Sequence, residues 1–412
     1  MLAWISLGAL MTAVTLSMFT KVNVGIVSLA FAWIVGVYLG GLPLNTVIGA
    51  FPISLFLTLV GVTLLFGMAH VNGTLERLAA HAVRLCYGNA GLIPIMFFFV
   101  ALGLSTIGPG NIATAALLAP MAMAIGHQAG VPPFLMILMV GNGAQAGALS
   151  PFAPTGVIVN GVMARIGLAD VEWQTYANNM LAHLVITMLA FVVFGGWRLF
   201  TRRTEGTDAK PIVPEDPFTW QHWLTVVILA SLVIAVVVFN MQVGMAAMTG
   251  AMILSLARAA DEKETIRRMP WNVVLMVCGV TVLIGVLERT QGMDLFTDLL
   301  ARVSTPGTVT GVIAFVTGLV SVYSSTSGVV LPAFLPTVPG LVERLGGGDA
   351  LGIASAMNVG GHLVDLSPLS TMGALCLAAL PPGVDVRKVF NQLLAWGLSM
   401  TVVGGLLCWV MF

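Results

Sequence analysis

Apolar runs of 17 or more residues recur from one end of this chain to the other. About 20 residues of α-helix cross the hydrocarbon core of a bilayer, and in that core every backbone N–H and C=O needs an internal partner. Runs of this length therefore read as transmembrane helices. Only 8% of the residues are charged, against roughly 25% in a soluble domain. The expected fold class is an all-α integral membrane protein whose surroundings are a lipid bilayer. Met1–Phe19 lacks a positive n-region and a small-residue cleavage signature, so it reads as a first span rather than a removed signal. The formal net charge is zero, which gives no basis for a nucleic-acid partner. Cys86, Cys278, Cys376 and Cys408 are far apart and form no CxxC pair. They read as small buried hydrophobes rather than as metal ligands or a disulfide framework.

Four interruptions break this pattern. GPGN occupies 108–111, between segments of only about 15–17 residues, which is short for a full crossing at about 1.5 Å per residue. The pair fits a re-entrant hairpin that enters and leaves on one side. Similar breaks fall near Ser150–Pro154, Ser324–Ser327 and Asp365–Pro368. The first and third read as hairpin tips, the second and fourth as interruptions within a single span.

An internal repeat orders these pieces. FPISLFLTLVGVTLLFGM (51–68) aligns without gaps to MPWNVVLMVCGVTVLIGV (269–286), with seven of eighteen positions identical. Pro52/Pro270, Gly61/Gly279, Thr63/Thr281 and Gly67/Gly285 are among them. The first half reads as three spans (3–19, 23–40, 51–70), an amphipathic piece (74–86), the hairpin, the interrupted helix and a last span near 180–199. The second repeats the order: 221–239, 242–257, 271–288, an amphipathic piece near 292–303, the hairpin, the interrupted helix and a span near 389–411. Residues 1–200 and 220–412 are thus the two repeats, joined by a polar linker over 201–219.

Charge placement sets the direction. With re-entrant hairpins and interrupted single spans, each half crosses five times. Five is odd, so the second half is inverted. About ten spans result, two of them interrupted, plus two hairpins. With both termini outside, 13 of the 17 Lys and Arg lie on the inside, as the positive-inside rule requires. Only Arg165, Arg289, Arg302 and Arg344 lie outside. The first hairpin then opens inward and the second outward, and the linker is cytoplasmic.

Inverted repeats with discontinuous helices are the architecture of secondary transporters. A break survives in a membrane only where it lines a polar cavity. Amides freed at a half-helix N-terminus attract anions, and freed carbonyls can coordinate a cation. The candidate substrate-binding residues are those at the breaks. Gly110, Asn111 and Thr114 belong to the first tip, and Ser150, Pro154 and Thr155 to the first interrupted helix. Ser324, Ser325 and Thr326 form the second tip, and Ser367, Pro368 and Thr371 belong to the second interrupted helix. Asn142, Gln145, Asn160, Asn358, His362 and Ser370 add amides, an imidazole and a hydroxyl to the same segments. Asp365 is the acidic residue placed deep in a break, and an intramembrane acid is functional by default. Its alternative role is a structural link to His362, three residues earlier. Asn111, Ser325 and Asp365 are the expected holders of a coupling cation.

The blocks KVNVGIVSLAFAWIVGVYLGG, FPISLFLTLVGVTLLFGMAHVNGTLERLAAHAVRL and GNGAQAGALSPFAPTGVIVNGV resemble the bacterial malonate (dicarboxylate) carrier family over about the first 165 residues. The whole chain also resembles the wider ion transporter superfamily, which includes divalent-anion/sodium symporters. Their hairpin tips carry Ser-Asn-Thr. Here Gly110-Asn111-Ile112 and Ser324-Ser325-Thr326 stand in those places, and the departures leave the coupling ion open between sodium and proton. The resemblance implies a scaffold domain, a moving transport domain, an elevator-like motion, a homodimer and an inner-membrane location.

The resulting expectation is a secondary active transporter of a small carboxylate, of malonate or C4-dicarboxylate type, driven by Na+ or H+. A cation/proton antiporter or inorganic-anion exporter on the same scaffold is the alternative. No HExxH, GxSxG or paired-aspartate motif is present, so no catalytic residues and no enzyme are expected. No cofactor is expected beyond a coupling Na+.

Overall fold

The computed structural model describes residues 1–20, 22–84, 89–201 and 217–412. Most of the linker expected over 201–219, together with Cys86, lies outside the described residues. Every element among them is helical.

The first half comprises α1 (Leu2–Phe19), α2 (Val24–Trp33), α3 (Leu44–Ile48), α4 (Ile53–Val71), α5 (Thr74–Arg84), α6 (Leu92–Ile107), α7 (Gly110–Gln128), α8 (Pro133–Gly147), α9 (Pro154–Arg165) and α10 (Glu172–Val193). In the second half follow α11 (Trp220–Val237), α12 (Val243–Leu256), α13 (Glu262–Arg268), α14 (Trp271–Arg289), α15 (Gly292–Arg302) and α16 (Val309–Ser321). A π-helical turn over Thr326–Val330 leads into α17 (Leu331–Phe334) and α18 (Val338–Arg344). The chain ends with α19 (Ala350–Leu363), α20 (Thr371–Ala378) and α21 (Val386–Met411).

All four interruptions fall where the turn-forming residues stand. Pro133 and Pro154 each occupy a first helical position, where the missing N–H costs nothing. Helix α10 differs from its expected 180–199 bounds. It begins at Glu172 and stops at Val193, because Gly195 turns the chain with φ +77 into a 3-10 turn over Gly196–Thr201. An apolar count skips the polar start of this helix, whose Thr175, Asn179 and His183 face inward.

Among the described residues, five helices are individually long and apolar enough to cross a bilayer. Helix α16 and the segment Thr326–Arg344 form a sixth such unit, bent by 117° at the break. The apolar stretches Leu2–Leu16, Val24–Leu39, Leu92–Ile107 and Val243–Leu256 are shorter.

Glycine lets helices of the two halves touch at their backbones. A Cβ on Gly25 of α2 would sit 2.1 Å from the Leu275 carbonyl oxygen of α14, and one on Gly279 would sit 2.1 Å from the Gly25 carbonyl oxygen. The α4–α12 contact is alike: a Cβ on Gly61 would lie 2.3 Å from the Gly244 carbonyl oxygen, and one on Gly244 2.4 Å from Thr58 Cα. In each pair only glycine permits such an approach. Matching side chains cap the entering helices. Asn23 Oδ1 accepts from the Gly25 N–H (2.8 Å) while its Nδ2 donates to the Asn272 carbonyl (2.8 Å). Gln242 Oε1 accepts from the Met245 N–H (2.6 Å) while its Nε2 donates to Thr58 Oγ1 (2.6 Å).

Helix α8 lies at the centre, packed by α6, α7 and α10, and every residue from Phe134 to Gly147 is buried. A segment carrying Asn142 and Gln145 is thereby enclosed by protein, which satisfies the requirement that irregular backbone in a membrane be hidden from lipid.

Candidate substrate site

The first tip rests on α4 and the second on α14. The first turns at Gly108 and Gly110, with φ of +149 and +77. A Cβ on Gly108 would collide with the Phe66 ring of α4, and one on Gly110 would lie 2.9 Å from Pro154 Cδ. The symporter-like serine is thus sterically and conformationally excluded at Gly110, because side chains rarely tolerate left-handed φ. At the second tip, a Cβ on Gly328 would meet Met276 Cε of α14 at 2.0 Å.

The two interrupted helices turn in the same way. The Ala153 N–H donates to the Ser150 carbonyl, and the Ser370 N–H to the Ser367 carbonyl, both at 3.0 Å. Gly156 and Gly373 sit directly against those same serine carbonyls.

A continuous polar chain joins the breaks. Asn111 Nδ2 donates to Gln145 Oε1 at 2.8 Å, and Gln145 Nε2 donates to Asp365 Oδ2 at 2.7 Å. Thr155 Oγ1 closes on Asn111 Oδ1 at 3.4 Å. The Thr326 hydroxyl lies beside the Asp365 carboxyl, and Ser370 Oγ donates to the Asp365 and Ser367 carbonyls. Thr326 in turn pairs with Ser321 and lies 3.3 Å from the Gly361 carbonyl. Asn111, Gln145, Asp365 and Thr326 thus link the first tip, the first interrupted helix, the second interrupted helix and the second tip. A glutamine suits the middle position, because its amide donates at one end and accepts at the other.

Not every candidate takes part. Thr114 Oγ1 and Ser324 Oγ are buried without a hydrogen-bond partner. Ser325 Oγ caps the π-turn by accepting the Gly328 N–H at 3.2 Å. Ser150 Oγ donates to the Thr106 carbonyl of α6 (2.7 Å), tying this break to that helix, and Ser367 Oγ accepts the Leu369 N–H (3.4 Å), holding local backbone. Pro154 abuts Gly110, Pro368 is buried in its turn, and Thr371 is exposed at the start of α20. The link between the Asp365 side chain and His362 is absent. The carboxyl turns to Gln145, and only the Asp365 N–H reaches the His362 carbonyl, at 3.1 Å. Arg165 is exposed at the end of α9, near Glu288.

Gln145 carries more of the junction than its sequence context suggests. The signal for it is positional. Ser150-Pro151 and Ser367-Pro368 are equivalent pairs, and Gln145 stands five residues before the first as His362 does before the second. Among the described residues, no group of three His, Cys, Asp or Glu side chains converges on a metal position.

Residues 1–148 match the family of the dicarboxylate carrier protein MatC, over its N-terminus. The likeness to dicarboxylate carriers thus takes in α1 to α8, including the Asn111–Gln145 pair. Uncharacterized transporters of Mycobacterium bovis and Mycobacterium tuberculosis are each 21% identical over 337 residues, covering 78% of this chain and 77% of theirs. The crystal structure of the Alcanivorax borkumensis YdaH transporter superposes with a TM-score of 0.58 at 17% identity, covering 89% of this chain and 87% of that one. At that identity the likeness concerns the fold alone.

Proposed function

We propose that the chain is a secondary active carrier of a small carboxylate, of malonate or C4-dicarboxylate type, coupled to Na+ or H+. The observation that carries this reading is the Asn111–Gln145–Asp365–Thr326 chain. It gathers helix ends, amides and hydroxyls from four breaks into the protein interior. Freed N–H groups there would meet carboxylate oxygens, with Thr114 and Ser324 as unengaged hydroxyls beside them. Asn111, Ser325 and Asp365 supply the oxygens we assign to the coupling cation. The MatC-like first third favours a dicarboxylate over an inorganic anion.

The same reading takes the two halves as inverted repeats of five crossings each, with interrupted helices and re-entrant hairpins. Supporting it are the like turns at Ser150 and Ser367, the Gly25/Gly279 and Gly61/Gly244 contacts, and the capping by Asn23 and Gln242. Both termini are then outside, in an inner membrane. By family resemblance the hairpins and interrupted helices move as a unit within a homodimer, in an elevator-like step. Burial of Asp365 in the junction keeps a cation/proton antiporter as the second reading.

Uptake of labelled dicarboxylates into proteoliposomes under imposed sodium or pH gradients tests the proposal. Gradient-dependent accumulation is expected, and its absence for every small carboxylate overturns the reading.

A further inference from the structure

Two buried histidines have no part in the polar chain between the tips. His183 on α10 and His362 on α19 are both fully buried. Each ring is fixed in the same manner. The His183 Nδ1 lies 2.9 Å from the Asn179 carbonyl, and the His362 Nδ1 lies 2.8 Å from the Asn358 carbonyl, each four residues earlier. A carbonyl only accepts, so in the neutral ring Nδ1 carries the hydrogen and Nε2 presents a bare lone pair. Both Nε2 atoms are buried without a hydrogen-bond partner.

The rings belong to one assembly. Helix α10 packs on α19, which brings the His183 ring up to the His362 backbone. Asn179 Oδ1 and Asn358 Oδ1 are likewise buried and unpartnered. Their amide hydrogens are directed elsewhere, Asn179 Nδ2 to the Gln145 carbonyl (2.8 Å) and Asn358 Nδ2 toward the Met163 sulfur (3.9 Å). The four orphan atoms of these residues are all acceptors. Unpaired acceptors in a low-dielectric interior are costly; burial opposes a charge on either ring, and the acceptors gathered around the two rings are what offsets that cost. Two nitrogen lone pairs suit a proton better than sodium, whose preferred ligands are oxygens.

We propose that His183 and His362 form a buried proton-binding pair that accepts one proton from the aqueous phase on an Nε2 atom during the transport cycle. The proposal rests on the carrier reading and adds the site of a coupling proton. One proton is held rather than two, because like charges on neighbouring buried groups repel. The pair touches the junction at two points. The Asp365 N–H donates to the His362 carbonyl, and Asn179 holds the Gln145 carbonyl. A charge on the pair therefore acts on both partners of the Gln145–Asp365 hydrogen bond.

Other titratable groups on the surrounding elements are few. Asp365 follows α19 directly. Helix α10 itself carries Glu172 and Tyr176 near its start, and Tyr176 pairs with Thr106. Helix α9 ends in Arg165 near Glu288, and α18 in Glu343 and Arg344. The turn after α10 carries Arg198, stacked over Trp197. Helix α21 carries Arg387 and Lys388 in its first turn, and its Cys408 points its sulfur at the Ala356 carbonyl. Helices α8, α16 and α17 bring none.

Nitrogen NMR of the full-length protein labelled with 15N-histidine tests the pair without requiring transport, with His183→Asn and His362→Asn assigning the signals. On acidification of the folded protein, a single one-proton step should move both Nε2 signals, and each single substitution should displace the step seen at the other ring. Neither Nε2 titrating while the fold persists overturns the proposal. In proteoliposomes, dicarboxylate influx through the H183N/H362N double variant should lose its dependence on external pH while dicarboxylate binding by thermal shift remains. A wild-type pH profile in that variant overturns the proposal. If the double variant does not fold, the wild-type titration decides. Absence of dicarboxylate flux in the wild type overturns the carrier reading instead, and the titration still decides the histidine pair.

Discussion

Gln145 Nε2 donates to Asp365 Oδ2 at 2.7 Å across 220 residues of sequence. Through its other end the same amide receives the Asn111 side chain, so one residue spans from the first hairpin tip to the carboxyl of the second half.

Removing that amide should be costly. Gln145→Ala leaves both Asn111 Nδ2 and Asp365 Oδ2 without their partner, and an orphaned buried polar group costs about 1–3 kcal/mol. A lower melting temperature in detergent is expected. Dicarboxylate uptake should fall by at least about tenfold, the equivalent of about 1.4 kcal/mol in the transport barrier. Uptake and stability both at wild-type level would contradict the role assigned to the junction.

The first tip should reject the serine found in the symporters. Gly110→Ser places a side chain in left-handed backbone, at about 1–2 kcal/mol, and against Pro154 Cδ. Thermal unfolding should show a destabilised variant and uptake should fall. A fully active, equally stable G110S protein would mean that Pro154 yields freely.

Much of this was legible in the chain before any coordinates. GPGN, the Ser-Pro pairs and SVYSSTSG each mark an interruption, because glycine, proline and hydroxyl residues in an apolar run have few other uses. Asn111 and Asp365 stand out as an amide and an acid where lipid-facing residues would be apolar. What the chain conceals is pairing. Gln145 is one of several amides in GNGAQAG, and nothing local says that it bridges to a carboxyl 220 residues away. Helix α10 is obscured because its polar residues face inward, where the apolar-run criterion does not look.

Glycines should divide sharply by what surrounds them. Gly25→Ala forces a methyl into the Leu275 carbonyl, and Gly279→Ala into that of Gly25. Overpacking of this kind costs about 1–3 kcal/mol, so both variants should melt early. Gly103→Ala meets nothing within 4 Å and should melt like the parent or slightly higher, since alanine favours helix by up to about 1 kcal/mol. Equal melting temperatures for all three would show that the α2–α14 contact adjusts at little cost.

Asp365→Asn separates charge from shape. The amide can keep an oxygen toward Gln145 but cannot exchange a proton. Flux driven by a pH gradient should be abolished in this variant if Asp365 bears the coupling charge, while a role in substrate contact alone leaves the pH dependence intact. Counterflow of labelled dicarboxylate, measured at matched pH on both sides, distinguishes the two.

The glycine contacts also bear on biosynthesis. Helix α2 has its closest backbone neighbour in α14, and α4 has its own in α12. A ribosome that has released only the first 200 residues has delivered two helices whose partners do not yet exist. The glycine contacts of these helices must wait until the second half is translated. The two halves are therefore a single unit of assembly, and splitting the gene at the linker demands that both fragments be inserted together before either can settle.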